Sequence, residues 1–234
     1  MKKHYIQLKF SLFTLIAIII LSPITIQASN TEDEISTDIM FPSTAVIIDV
    51  GHGGIDGGAS YENILEKDIN LAVAKKLYAI LQSNGIPTIL NRTDDYALSE
   101  DNQWLKTSSR HLKDLSQRMG LTREIEHVVF ISLHVNAGAN ARAHGPLVLH
   151  QHTGESALLA TNIQASMNNL FDTSKNVVPV KTFYLLKHVK SPAVLVELGF
   201  ISNATDRERL ITRNEQTKIA SAIANGVLHY LWIN

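Results

Sequence analysis

"AVIIDVGHGGIDGG", Ala45–Gly58, is the stretch on which the reading of this chain turns. Its first half, five apolar residues around one aspartate, reads as a short strand of a parallel sheet, buried on both faces. The strand breaks into a loop of five glycines around His52. Glycine loops after strands usually cradle phosphate. Here Asp56 stands where the third glycine of a dinucleotide fingerprint belongs, and no Gly-Lys-Ser/Thr follows for a P-loop. An aspartate at that place repels pyrophosphate. The glycines instead permit positive φ and close backbone approach, which lets the loop curl and point the His52 ring into a cleft.

Outward from this loop, strand and helix patterns alternate. Lys67 to Gln82 carries Ile69, Val73, Leu77, Ile80 and Leu81 at helical spacing, and Asn84-Gly85 is a stop signal. "IPTILNR" predicts a second strand. Ser108 to Ile125 predicts a helix with Leu112, Leu115 and Met119 inward, followed by "HVVFISLH", a strand ending at His134. "GPLVLHQ" predicts a fourth strand, Glu155 to Leu170 a helix, "FYLL" a short strand, "AVLVEL" (Ala193 to Leu198) a buried one, and Glu215 to Leu231 an amphipathic helix. The alternation predicts an α/β fold: a single domain with a mostly parallel twisted sheet flanked by helices. A chain of 234 residues has room for one well-buried domain and little more.

The net charge of −1 gives no bulk electrostatic reason for a nucleic-acid partner. There is no cysteine, which removes thiol catalysis, disulfides and a lipid-modified cysteine from consideration. Lys2, Lys3 and Lys9 precede an uncharged apolar run from Phe10 to Leu21, then Pro23 and "IQAS". This pattern predicts a signal peptide or membrane anchor over residues 1–28 and hence export. The polar, acidic "SNTEDEISTD" marks a linker over 29–42, and a catalytic domain is expected over 43–234.

In such folds ligands bind beyond the carboxyl ends of the strands. His52 follows the first strand, His134 ends "VFISLH" and Glu197 closes "AVLVE", so all three are expected to be neighbours. Two neutral imidazoles with a carboxylate suit zinc, with the fourth position left to water. Glu66, at the start of the first helix, has two readings on spacing alone: a carboxylate reaching back to the metal, or a first-turn acid that compensates the helix dipole. Glu197 sits among apolar neighbours, where a lone carboxylate is costly. That environment suits a base acting on water; the competing reading is a buried salt bridge to Arg92 or Arg118. Asp49 is read as orienting His52 or Arg92 from behind. His150 and His152, two apart on a strand, share a face and read better as a surface or inter-strand pair than as metal ligands. Ser132 lacks the Gly-x-Ser-x-Gly elbow of a nucleophile.

"VIIDVGHGGIDGGA", "LEKDINLAVAKKL", "ILNRTDD", "FISLHVNA" and "PAVLVELGFISNATDRERL", in this order and at these separations, resemble the zinc-dependent N-acetylmuramoyl-L-alanine amidases of the Amidase_3 type, over about Ala45 to Tyr230. The resemblance implies that His52, Glu66 and His134 hold one zinc ion per chain and that Glu197 is the catalytic carboxylate. It also implies a substrate, peptidoglycan, cut at the amide between the lactyl group of N-acetylmuramic acid and the L-alanine of the stem peptide. Arg92, after the second strand, and Asn136, just past His134, are expected to orient substrate. The family usually carries proline where this chain has Val50, and Ala-Asn at Thr122-Arg123. A leader, a single domain and "SSRHLKDLSQRMGL" resemble more narrowly the sporulation or germination-specific amidases, which strip stem peptides in the spore cortex so that muramic δ-lactam forms. An accessory protein at the membrane is an expected partner. The competing functions are another wall metallohydrolase, a carboxypeptidase or deacetylase, and a non-catalytic wall-binding relative.

Overall fold

A computed structural model of the chain describes residues 44–233; the expected leader, and the linker up to residue 42, lie outside them. In chain order the elements are β1 (Ala45–Val50), β2 (Ser60–Tyr61), β3 (Ile64–Leu65), α1 (Glu66–Ser83), β4 (Thr88–Leu90), α2 (Arg110–Glu124), β5 (Val128–Asn136), β6 (Leu147–His150), α3 (Gly154–Phe171), β7 (Val178–Pro179), α4 (Tyr184–His188), β8 (Ala193–Phe200), α5 (Ala204–Ile211) and α6 (Arg213–Ile233). Six strands form one sheet in the order β4-β1-β5-β8-β6-β7, while β2 and β3 make a small separate hairpin. Every pairing in the large sheet is parallel except β6 against β8.

Strand side chains alternate between faces, and the alternation divides the core. Val46, Ile48 and Val50 of β1, Val129, Ile131 and Leu133 of β5, and Val194, Val196 and Leu198 of β8 belong to one apolar layer, completed by α1, α3 and α6. The intervening Ala45, Ile47, Phe130 and Leu195 form the second layer with Met119 of α2 and Leu185 and Leu186 of α4. The second face is not apolar throughout. Toward the carboxyl ends of the strands it continues through Asp49, Ser132, His134 and Glu197, paired in register as Asp49↔Ser132 and His134↔Glu197. The parity of three neighbouring strands therefore gathers their polar residues under α2 and α4.

Several expectations change in detail. "FYLL" belongs to α4 rather than to a strand: Leu185 and Leu186 are buried while Phe183, which precedes them, is 42% exposed. Four apolar residues fit either period, and packing on the second layer decided for helix. His134 and Glu197 lie inside β5 and β8, which run on to Asn136 and Phe200, with a register shift between His134 and Asn136. Helix α5 is capped by Asn203, whose side chain accepts from the Asp206 N–H.

Val50, in place of the family's proline, uses the N–H that proline lacks: it donates to Asn91 Oδ1 at 2.8 Å. At the end of α2, the Thr122 hydroxyl donates to the Met119 carbonyl at 2.8 Å and the Arg123 guanidinium lies over the Trp104 ring. Both departures are thus accommodated by local contacts.

Candidate metal centre and active site

The glycine loop carries His52 in a left-handed conformation, φ 62°, costly for a non-glycine residue and held here by the surrounding turn. Gly53 and Asp56 exchange backbone hydrogen bonds at 2.9 and 3.1 Å and close that turn. Two glycines are required by proximity. A Cβ on Gly51 would stand 2.6 Å from the His134 ring, and one on Gly58, at φ 67°, would stand 2.6 Å from Glu66 Oε2 and 2.7 Å from the His52 ring. At these two positions the loop lies against the histidines and the acid with no space for a side chain.

Glu66 opens α1 and is 3% exposed. Its Oε2 accepts the Ala59 N–H at 2.7 Å, and its Oε1 accepts the Val135 N–H at 2.9 Å. The same Oε1 is 3.1 Å from His52 Nε2 and 2.9 Å from His134 Nδ1. Burial works to raise its pKa, but the hydrogen bonds and charges of His134 and His52 outweigh it, so the carboxyl is held well below the usual carboxylate range. Both oxygens are thus bound, which goes beyond what compensating a helix dipole requires.

Ligand atoms of His52, Glu66 and His134 all fall within 4.8 Å of one another, and theirs is the one such group among the described residues. Two imidazole nitrogens and a carboxylate oxygen on one centre are the donor set zinc prefers. His150 and His152 are not part of it: His150 is buried with Nδ1 against the Gln151 carbonyl at 2.6 Å, and His152 is exposed.

Behind each imidazole stands a charged group to which the sequence reading gave a different place, Asp56 as a break in a phosphate fingerprint and Arg118 as a salt-bridge partner for Glu197. Asp56 Oδ2 lies 3.0 Å from His52 Nδ1, at an angle that closes no hydrogen bond. Burial depresses the His52 pKa, yet Glu66 and Asp56 together leave it raised. Arg118 Nη2 lies 3.2 Å from His134 Nε2, and burial followed by that guanidinium lowers the His134 pKa despite Glu66. Arg118 is in turn fixed by Asp49, which takes Nε at 2.7 Å and Nη2 at 2.6 Å and also accepts from Ser132 at 2.5 Å and Asn91 at 2.6 Å. Burial opposes the charged form of Asp49, but Arg118 and Ser132 prevail and its pKa falls. Asp49 therefore positions Arg118, not His52 or Arg92, because strand parity turns it toward α2. Ser132, fully buried, is a member of this network.

Glu197, register partner of His134, has neither arginine as its partner. Arg118 is bound to Asp49. Arg92 is 1% exposed and donates to the carbonyls of Val50, Gly51, Lys67 and Asp94 at 2.9–3.3 Å. The Oε2 of Glu197 is buried without a hydrogen-bond partner, and burial first, then the Glu66 charge, pushes the carboxyl up to about 8 against a weak pull from His52.

These groups open into a cleft of about 430 Å³. Its polar side is His52, Asp56, His134, Arg118 and Glu197; its apolar side is Leu115, Phe183, Tyr184, Leu185 and Leu195, with His111 and Thr182 also lining it. Arg92 and Asn136, expected to orient substrate, are not among the described residues that line it. Arg92 instead clamps the glycine loop to the start of α1, and Asn136 is held at the β5 end, its carbonyl accepting from Ile201 at 2.8 Å. Strand parity joins the groups: Asp49, Ser132, His134 and Glu197 all fall on the strand face that carries Ile47, Phe130 and Leu195; for Asp56 the i, i+4 spacing to His52 was the available signal.

Two imidazoles and a carboxylate that could hold a metal ion, with a second, partly buried carboxylate beside them at the carboxyl edge of a mostly parallel sheet, are the arrangement of a hydrolase of the α/β class. The chain belongs to the Amidase_3 family of N-acetylmuramoyl-L-alanine amidases, whose family profile it matches over residues 46–229. It is 32% identical over 226 residues to the germination-specific N-acetylmuramoyl-L-alanine amidase of Bacillus subtilis (strain 168), covering 96% of this chain and 95% of that protein. Among solved structures it is similar to the CwlD amidase of Clostridioides difficile, determined in complex with the GerS lipoprotein: TM-score 0.76 and 34% identity over 82% of this chain and 99% of that one. It is also similar to the catalytic domain of CwlV, an N-acetylmuramoyl-L-alanine amidase from Bacillus (Paenibacillus) polymyxa var. colistinus, with TM-score 0.69 and 28% identity over 82% of this chain and 99% of that one.

Proposed function

We propose that this chain is a zinc-dependent amidase that hydrolyses the bond between N-acetylmuramic acid and the L-alanine of the stem peptide, acting on spore cortex during the preparation for germination. The observation that carries the reading is the shared Glu66 Oε1 between His52 and His134, with the unpartnered Glu197 carboxyl on the neighbouring strand.

His52, Glu66 and His134 would hold one zinc ion. When bound, zinc supplies a Lewis acid for the amide carbonyl and lowers the pKa of water. Glu197 moves the proton. A desolvated carboxyl near 8 exchanges protons readily around neutral pH, and a cation at the neighbouring triad draws it toward the carboxylate form in which it can accept one. Its Oε2 takes the proton of the attacking water and passes it to the L-alanine nitrogen as the C–N bond breaks. Asp56 and Arg118 hold the two imidazoles in place, and the apolar side of the cleft excludes water.

The similarity to a germination-specific amidase across nearly the whole length supports the cortex role. The GerS complex of the C. difficile relative supports an accessory protein as a partner of this chain too. Residues 1–28 are assigned as a signal peptide or anchor and 29–42 as a linker, placing the domain from residue 43 outside the cytoplasm, at the wall. A non-catalytic role is disfavoured by the presence of all four key side chains.

The test is digestion of purified peptidoglycan by the wild-type chain, with and without a chelator, and by Glu197→Gln, followed by mass analysis. The expected products are stem peptides with a free L-alanine amine and a glycan that keeps its acetyl groups. The chelated enzyme and Glu197→Gln release none, although the variant still binds about one zinc per chain. Undiminished release by either overturns the assignment.

A further inference from the structure

The chain carries 22 acidic residues, yet none lies between Asn102 and Lys113 or between Thr173 and Val196. The first stretch enters α2 and carries Arg110 and Lys113; the second contains α4 and carries Lys181, Lys187 and Lys190. α2 and α4 pack against one another, so the two acid-free stretches meet in a single wall. That wall belongs to the cleft, to which it contributes His111, Leu115, Thr182 and Phe183.

Lys181 adjoins Thr182 and Phe183 at the cleft, and Lys187 stands one helical turn on, its N–H donating to the Phe183 carbonyl at 2.9 Å. Lys181, Lys187 and Lys190 are exposed, and among the described residues no carboxylate lies within ion-pair distance of any of them. Arg110 is exposed and lies within electrostatic reach of Asp56 on the polar side. In a protein of net charge −1, Lys181 and Lys187 thus stand without a counter-charge beside the residues of this wall, and Arg110 adjoins His111 with only Asp56 near it. Such a wall attracts an anionic group and raises its encounter rate.

We propose that this wall is the docking surface for the peptide arm of the substrate, with Arg110, Lys181 and Lys187 facing the carboxylates of the stem peptide. The inference rests on the amidase reading above and deepens it. The chemistry of the substrate decides which arm it is. The carboxyl of N-acetylmuramic acid is tied up in the scissile amide, so the glycan arm offers no charge. Stem peptides carry free carboxylates beyond L-alanine. With the amide at Glu197, a peptide leaving along α2 and α4 meets cations at the rim, and Leu115 and Phe183 cover its apolar parts.

The experiment compares wild type, the double charge reversal Lys181→Glu/Lys187→Glu, and a distant control, Lys218→Glu, on two zinc-loaded assays. One uses muropeptide-bearing glycan with free stem carboxylates, the other the same material with those carboxylates amidated. For wild type on the free-carboxylate substrate, KM is expected to rise several-fold between low and physiological salt, with kcat steady. The double reversal raises KM about five- to tenfold, flattens the salt dependence and closes the gap between the two substrates, while kcat holds and Lys218→Glu behaves as wild type. Wild-type KM and salt dependence in the double reversal overturn the proposal and leave the wall to an acidic protein partner. Failure of wild type on both substrates overturns the amidase reading itself, a distinct outcome.

Discussion

In the metal-free chain, Glu197→Gln is expected to raise stability at neutral pH, because the fold disfavours the ionised carboxyl. The carboxyl sits at about 8 in the fold against 4.5 for the free group, so between those values the folded chain keeps a proton that the unfolded chain has released. Stability contributed by this group therefore falls as pH rises from about 4.5 to about 8 and is level on either side. At ~1.4 kcal/mol per pKa unit, the roughly 2.5 units crossed by pH 7 amount to ~3–4 kcal/mol as an upper figure. Glu197 is only half-buried, and solvent near its other oxygen brings the expectation to ~2 kcal/mol. Glutamine fills the same space and has no proton to lose. Thermal unfolding of chelator-treated wild type and variant should show the variant melting ~4–8 °C higher at pH 7 and together with wild type near pH 4. Added zinc should narrow the neutral-pH gap, because a cation at the triad stabilises the wild-type carboxylate. Equal melting at pH 7, or a gap that persists near pH 4, would refute the claim that Glu197 is strained by its own charge.

Two further outcomes follow from the groups behind the ligands. Asp56→Asn should weaken zinc binding ~10–100-fold in a chelator competition while leaving the metal-free melting temperature nearly unchanged, since Asp56 is partly exposed and acts through His52; unaltered affinity would count against it. Asp49→Ala strands the Arg118 guanidinium without its buried counter-charge and should cost ~3–5 kcal/mol by urea titration; a loss under ~1 kcal/mol would show that the pair contributes no stability.

How much of this was legible in the sequence can be argued residue by residue. The buried strand before Gly51 and the helices around Leu77 and Ile223 follow from periodicity, which burial then obeys. His52, His134 and Glu197 could be grouped because each sits at the same edge of a parallel sheet. Glu66 could not be settled by spacing: one acid in a first turn looks like another until Ala59 and Val135 are seen to bind it. For Arg92 and Asn136 adjacency in sequence to a loop or ligand says nothing of direction: Arg92 turns inward to carbonyls, and neither lines the cleft among the described residues. Arg118 and Asp56 act on imidazoles 16 and 4 residues away respectively, and only the first needs the tertiary fold to be seen.

The anchoring of Glu66 reaches beyond the site itself. A main-chain amide rivets each of its oxygens, from Ala59 on the loop side and Val135 on the strand side, so one side chain at the start of α1 staples the glycine loop to the end of β5. Cutting that staple would release two segments far apart in the chain at once, and each imidazole would lose its bearing together with the other.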